Sequence, residues 1–217
     1  MVLTNRYVKS LGNSLIGSYD YQDLVKGVGY IEFFGVMVAT SSTTSGALVT
    51  KPIWCKALDH AQIAGSENYI TNATLNYDIE ISQKLVTQGM AFITIPAFFY
   101  YNSGGSGQLR GTFNASVYKL VDGTETLISD VASGSILSVS LSTGQYDAGV
   151  WSGVVNVTKT VLKKTNKLRL KIVGSGVSAP NALGLFNDPM NNTYSTPTVV
   201  ETTQLKLDLP FRINGTA

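Results

Sequence analysis

Thr203-Gln204-Leu205-Lys206-Leu207-Asp208-Leu209-Pro210-Phe211-Arg212-Ile213 is the stretch whose reading decides the fold. Leu205, Leu207, Leu209, Phe211 and Ile213 fall on one side of a period-2 pattern, and Lys206, Asp208, Pro210 and Arg212 on the other. Successive side chains of an extended chain point to opposite faces, so this segment gives one wall to a core and one to water. Pro210 has no amide hydrogen to donate, which predicts that the end of this strand lies at a sheet edge or on an unpaired side.

Working outward, the same pattern recurs. Asn76 to Ser82 alternates Tyr77, Ile79 and Ile81 with Asn76, Asp78, Glu80 and Ser82. Gly27 to Thr40 is rich in aromatic and β-branched residues and reads as a strand, with Gly35 marking a bulge or bend. Ala47 to Cys55 is a weaker strand, interrupted by Pro52. Met90 to Tyr101 is apolar almost throughout, which suits a strand covered on both faces or one at a subunit contact. The glycine-rich Asn102 to Gly107 after it reads as a mobile loop. Phe113 to Val121 and Thr126 to Asp130 flank Asp122-Gly123-Thr124-Glu125, a strong hairpin signal. Ser135 to Leu141 and Leu183 to Phe186 are short strands. Val150 to Val161 and Lys167 to Val173 bracket a Lys-Lys-Thr-Asn turn and predict a second hairpin.

About eight strands with turn signals between them, and no amphipathic helix, predict an all-β, jelly-roll-like antiparallel β-sandwich. Gly174 to Thr202, with three prolines, is the long crossing connection such a topology needs. The irregular stretch 1–26 reads as an N-terminal arm and 27–217 as the sandwich domain.

Composition narrows the function classes. Charged residues make up 14% of the 217 and the net charge is only +2, against a usual charged share of about 25%. Lys163, Lys164 and Lys167 form the one basic cluster, without interleaved aromatics, so it reads as a solvated turn and no nucleic-acid partner is expected. No apolar run reaches the length of a membrane helix, and Met1 to Ser18 lacks the apolar core of a secretory signal.

Chemistry-bearing residues are few. There is one histidine, His60, and one cysteine, Cys55. They rule out an intrachain disulfide and a tetrahedral zinc site of the usual nitrogen and sulfur ligands. A Cys-His or Ser-His-acid mechanism is left without geometry or an elbow motif to support it. The run Asn187 to Thr193 is rich in oxygen ligands suited to calcium, but Asn and Asp beside Pro are also ordinary turn chemistry. Asp78 and Glu80 share a strand face, where a solvated surface is a simpler account than a glycosidase pair. No catalytic residue, cofactor or metal ligand is therefore expected.

Aromatic residues are the better lead: there are eleven tyrosines, eight phenylalanines and two tryptophans. Phe98, Phe99, Tyr100 and Tyr101 in succession put some rings outward, as at an assembly interface. Tyr19, Tyr21 and Leu24 are candidate contacts from the arm. The alternative is a carbohydrate-binding or adhesive module in which Trp54, Trp151 or the Phe98 to Tyr101 rings stack on sugars.

The segment Tyr19 to Gly35 (YDYQDLVKGVGYIEFFG), the segment Thr202 to Ile213 and the Asn187-Asp188-Pro189 turn resemble virion accessory proteins of tailed bacteriophages and related prokaryotic viruses. That group comprises β-sandwich proteins that decorate heads or build collars and tails. The resemblance covers both ends of the chain and implies a non-enzymatic structural protein, synthesised in the host cytoplasm and carried in the virion. Its partners would be other capsid or tail proteins, and further copies of itself in a homo-oligomer.

Overall fold

The computed structural model describes residues 17–18, 28–37, 45–51, 73–137, 140–175, 182–187, 202 and 204–212. In chain order the strands are β1 (Gly17–Ser18), β2 (Val28–Met37), β3 (Ser45–Val49), β4 (Ala73–Glu80), β5 (Leu85–Tyr101), β6 (Ser106–Gly107) and β7 (Arg110–Val121). They continue with β8 (Thr124–Leu127), β9 (Ala132–Leu137), β10 (Leu141–Ser142), β11 (Gln145–Leu162), β12 (Lys167–Ser175), β13 (Ala182–Leu185) and β14 (Lys206–Arg212). No helix occurs among the described residues.

The expected all-β sandwich is what the chain forms. It is built from one curled twelve-stranded sheet in the order β11-β5-β14-β2-β3-β4-β12-β7-β8, with β1 beside β2, β13 beside β5 and β9 beside β7. One pair, β3 with β4, is parallel where a wholly antiparallel assembly was expected. The sheet curls until its ends meet. Ser129 bridges Val157, the Thr158 amide donates to Ile128 O at 2.8 Å, and the Asp130 amide donates to Asn156 O at 3.2 Å. These bonds satisfy backbone groups that an open edge would leave to solvent or to another chain. Inward residues of both halves then merge into a single core, with Phe33, Tyr77, Phe99, Phe113, Leu168, Leu170 and Ile172 among its fully buried members.

The terminal strand keeps its predicted faces. Leu205, Leu207 and Leu209 are fully buried, while Lys206 and Asp208 are partly exposed. Its position differs from the expectation, because β14 lies between β2 and β5 in the middle of the sheet. Pro210 is tolerated there by an irregularity. The β14–β5 register shifts between Asp208 and Phe211, Gly89 adopts a φ of 121°, and the buried Thr87 hydroxyl donates to Pro210 O at 2.6 Å. The missing amide falls where the ladder is already broken, and a side chain supplies the bond the ladder lost.

The Asp122-Gly123 hairpin forms between β7 and β8. Val121 pairs with Thr124, and both turn residues have positive φ, 49° and 82°, as the favoured two-residue turn requires. The second predicted hairpin does not form. Its first strand, β11, pairs with β5, whereas β12 pairs with β4 and β7. The Lys163 to Asn166 turn is thus an arch between separate parts of the sheet, closed by a 2.8 Å bond from the Lys163 amide to Asn166 Oδ1. It is pinned to Ile81, whose amide donates to Asn166 O at 2.8 Å and whose carbonyl accepts from the Thr165 amide at 3.0 Å. Lys163, Lys164 and Lys167 are exposed, as expected of a solvated turn.

Two expectations at glycines differ from the fold. Gly35 makes no bulge, since the β2–β3 register runs through it unbroken; instead its missing side chain leaves room for Leu205 to lie against the backbone. The glycine-rich 102–107 stretch, read as a mobile loop, is tied down. Ser106–Gly107 pairs with Leu141–Ser142, and the Thr143 hydroxyl donates to Ser103 O at 2.5 Å. Part of the predicted arm also joins the sheet, through Gly17 and Ser18 on β2.

Candidate functional site

Two outward faces of the sheet carry the polar and exposed side chains. On the face of β4, β12, β7 and β8, the registers set Asp78, Arg169, Tyr118 and Leu127 in one row. Arg169 donates from Nε to Asp78 Oδ1 and from Nη2 to Asp78 Oδ2, both at 2.6 Å, and a third guanidinium bond reaches Glu125. Lys171 Nζ donates to Glu125 Oε2 at 2.7 Å and sits 4.6 Å from the centre of the Tyr118 ring. The Lys171 bond, reinforced by Arg169, holds the Glu125 carboxyl below its ordinary range. The Asp78 bond raises the Arg169 guanidinium further above its ordinary value. Asp78, offered as half of a carboxylate pair, is thus committed to a bidentate arginine.

The face of β11, β5, β14 and β2 is built differently. Its registers give one row of Ser152, Thr94, Lys206 and Phe34, and a second of Val154, Phe92, Asp208 and Glu32. Asn156 and Met90 follow, and beyond the irregularity Pro210 lies opposite Tyr30. Met90 is 58% exposed, Val154 50% and Phe92 41%, and the Phe92 ring meets Tyr30 at 5.8 Å. Lys206 leans over Phe34 at 5.3 Å and stands 4.0 Å from Glu32. Asp208 Oδ1 is buried without a hydrogen-bond partner among the described residues. Burial first, and the neighbouring Glu32 second, push its carboxyl above the ordinary value against the pull of Lys206. This is an apolar surface holding an under-satisfied acid, next to a bulge of the kind that re-aims side chains beside sites.

The aromatic residues singled out from the sequence are placed mostly inside. Phe99 is in the core, Phe98 packs on Phe186 at 5.2 Å, and Tyr101 is buried. Tyr100 keeps partial exposure and stacks on Tyr146 at 4.5 Å. Trp151 is buried and tilts against Phe113 at 6.4 Å, in space left free by Gly134 and Gly153. The run from Phe98 to Tyr101 was expected to turn rings outward, but the β13 segment and Phe186 add cover on that side of β5. Trp151 faces inward because its partner in register is the buried Ile95. Tyr19, Tyr21, Leu24 and Trp54 lie outside the described residues, as do Cys55, His60 and 188–193 of the calcium-type run. Asn187, which opens that run, is buried and donates to the Tyr77 hydroxyl at 3.4 Å. Burial holds that phenol well above its ordinary range. Among the described residues no group of three or more His, Cys, Asp or Glu side chains is placed to hold a metal ion.

Met90, Phe92, Val154 and Asp208 were not picked out from the sequence. The signal for Met90 and Phe92 was present, since a strand alternates faces even where every residue is apolar. Only the register, however, sets Val154 and Asp208 on either side of Phe92.

No family model matches the chain, and no curated protein matches it. Solved structures similar to it include a CocE/NonD family hydrolase from Staphylococcus aureus, with TM-score 0.46 and 10% identity over 85% of this chain and 37% of that one. An aminopeptidase from a marine sediment Thaumarchaeota archaeon matches with TM-score 0.44 and 8% identity, over 82% of this chain and 36% of the other. The chain therefore spans little more than a third of the length of these structures.

Proposed function

We propose that this chain is a non-enzymatic structural subunit of a virus-like particle, a decoration or other accessory protein that works by docking on neighbouring proteins. The observation that carries the reading is the regular outer face where Met90, Phe92 and Val154 stand exposed together. Large apolar side chains clustered on one sheet face mark an interaction surface. The low charge of the chain and the resemblance at both of its ends support the virion setting. The contact surface is now assigned to Met90, Phe92 and Val154, since Phe98, Phe99 and Tyr101 are buried. The sugar-binding alternative loses Trp151 to the core, and of the Phe98 to Tyr101 rings only Tyr100, stacked on Tyr146, keeps partial exposure.

The test is incorporation into particles. Phe92→Ser with Val154→Ser is expected to leave a folded chain that no longer appears in purified particles. Normal occupancy of that double variant would overturn the docking face. Deleting residues 1–26 is expected to weaken incorporation as well, and because β1 pairs with β2 its folding has to be measured alongside.

A further inference from the structure

The same face carries information about what covers it, and this step rests on the docking reading above. A dry partner surface laid on Met90, Phe92 and Val154 would close over Asp208, whose Oδ1 already lacks a hydrogen bond. Removing the rest of that carboxylate from water without a counter-charge is costly, so a purely apolar partner is disfavoured. Lys206 answers the need only in part: it pulls on the carboxyl from a distance, but it stands over Phe34 and near Glu32. Anionic partners such as phosphate backbones or acidic lipid surfaces meet Glu32 and Asp208 side by side in register. A second copy docked by two-fold symmetry around this row would bring its own Asp208 toward the first, and like charges oppose that arrangement.

We infer that the partner is a protein segment presenting a cationic side chain, arginine by preference, flanked by apolar side chains. The cation sits against Asp208 and the apolar groups lie on Phe92, Met90 and Val154. Arginine fits better than lysine because its planar guanidinium can bond a carboxylate in a fork while its flat face rests on the Phe92 ring.

The experiment uses the full chain and two synthetic peptides, acetyl-Val-Leu-Arg-Leu-Val-amide and the same peptide with neutral citrulline in place of arginine. Amide resonances of residues 90–94, 152–156 and 206–208 are expected to shift with the arginine peptide. The citrulline peptide should bind roughly tenfold more weakly, the scale of one charge-assisted contact. Asp208→Asn should remove that preference, while Glu32→Gln should retain most of it. Equal affinity for both peptides would overturn the cationic partner yet leave the apolar face standing. Absence of shifts at these residues with either peptide at millimolar concentration would also overturn it, and particle incorporation of the Phe92 and Val154 variant then judges the docking face separately. Self-association in light scattering that Phe92→Ser abolishes would make the occupant a second copy and overturn it too.

Discussion

The two outer faces of one sheet treat their charges in opposite ways, although both expose apolar side chains, with Leu127 beside the ion pairs 47% exposed. On β4, β12, β7 and β8, two carboxylates and two cations answer one another, with Arg169 bonded to both Asp78 and Glu125. On β11, β5, β14 and β2, apolar side chains stand in water and Asp208 lacks a full complement of bonds. A face that satisfies its own charges has little to gain from a partner. A face that leaves apolar area exposed and an acid under-satisfied gains on both counts when it is covered.

The contrast is most easily broken at Arg169. Its side chain is only 18% exposed, and replacing it with methionine leaves Asp78 and Glu125 without their common donor. Loss of one partner from a partly buried, bidentate network is expected to cost about 2 kcal/mol, measured as a lower urea midpoint at unchanged slope. A shift too small to resolve would mean that solvent screens this network as it does ordinary surface pairs.

Asp208 should respond with the opposite sign. Asp208→Asn removes a charge held near Glu32 and is expected to stabilise the chain by about 1 kcal/mol at neutral pH. The pH dependences of the two faces diverge for the same reason. Glu125 is held below its ordinary value of 4.5, so its contribution is present above that pH and is lost as acid protonates it through its lower folded-state value. Asp208 is raised above its ordinary 3.8, so the folded chain binds that proton more tightly. Its relative stability is therefore full below that pH and falls as pH rises through the higher folded-state value. Glu125→Gln should accordingly cost stability at neutral pH and little in strong acid, while the gain from Asp208→Asn should fade on acidification. Parallel profiles for the two variants would remove the distinction between the faces.

Much of this was legible in the sequence, and the reason lies in what alternation encodes. Leu205 to Phe211 and Tyr77 to Ile81 announce strands and faces, because a period of two fixes which side chains share a wall. The Asp122-Gly123 turn was legible because its dihedrals demand those residue types. Partner identity is not encoded in this way. Val150 to Val161 and Lys167 to Val173 alternate as two hairpin strands would, yet they join different neighbours in the curled sheet. Pro210 spoke for an edge, and an irregularity built from Gly89 and Thr87 placed it in the centre. The aromatic run misled because bulk says nothing of direction: Phe99 points to the core, and Phe98 finds cover from Phe186. Asp208 was already on the polar side of its strand, but its burial and its neighbours Glu32, Lys206 and Phe92 are set by the assembled face.

The smallest expected effect on stability is at Phe92, and it sharpens the comparison most. Phe92 is 41% exposed and its ring contact within the chain is with Tyr30, so Phe92→Ser should change the unfolding free energy by only about 0.5 kcal/mol. A side chain presented for docking contributes little to the isolated chain and much to the assembly, because its burial is completed by another molecule. If Phe92→Ser lowered the urea midpoint as far as Arg169→Met, the ring would be holding its own strands together. The apolar face would then be an outer layer of the core, and the surface open to partners would have to be sought elsewhere on the chain.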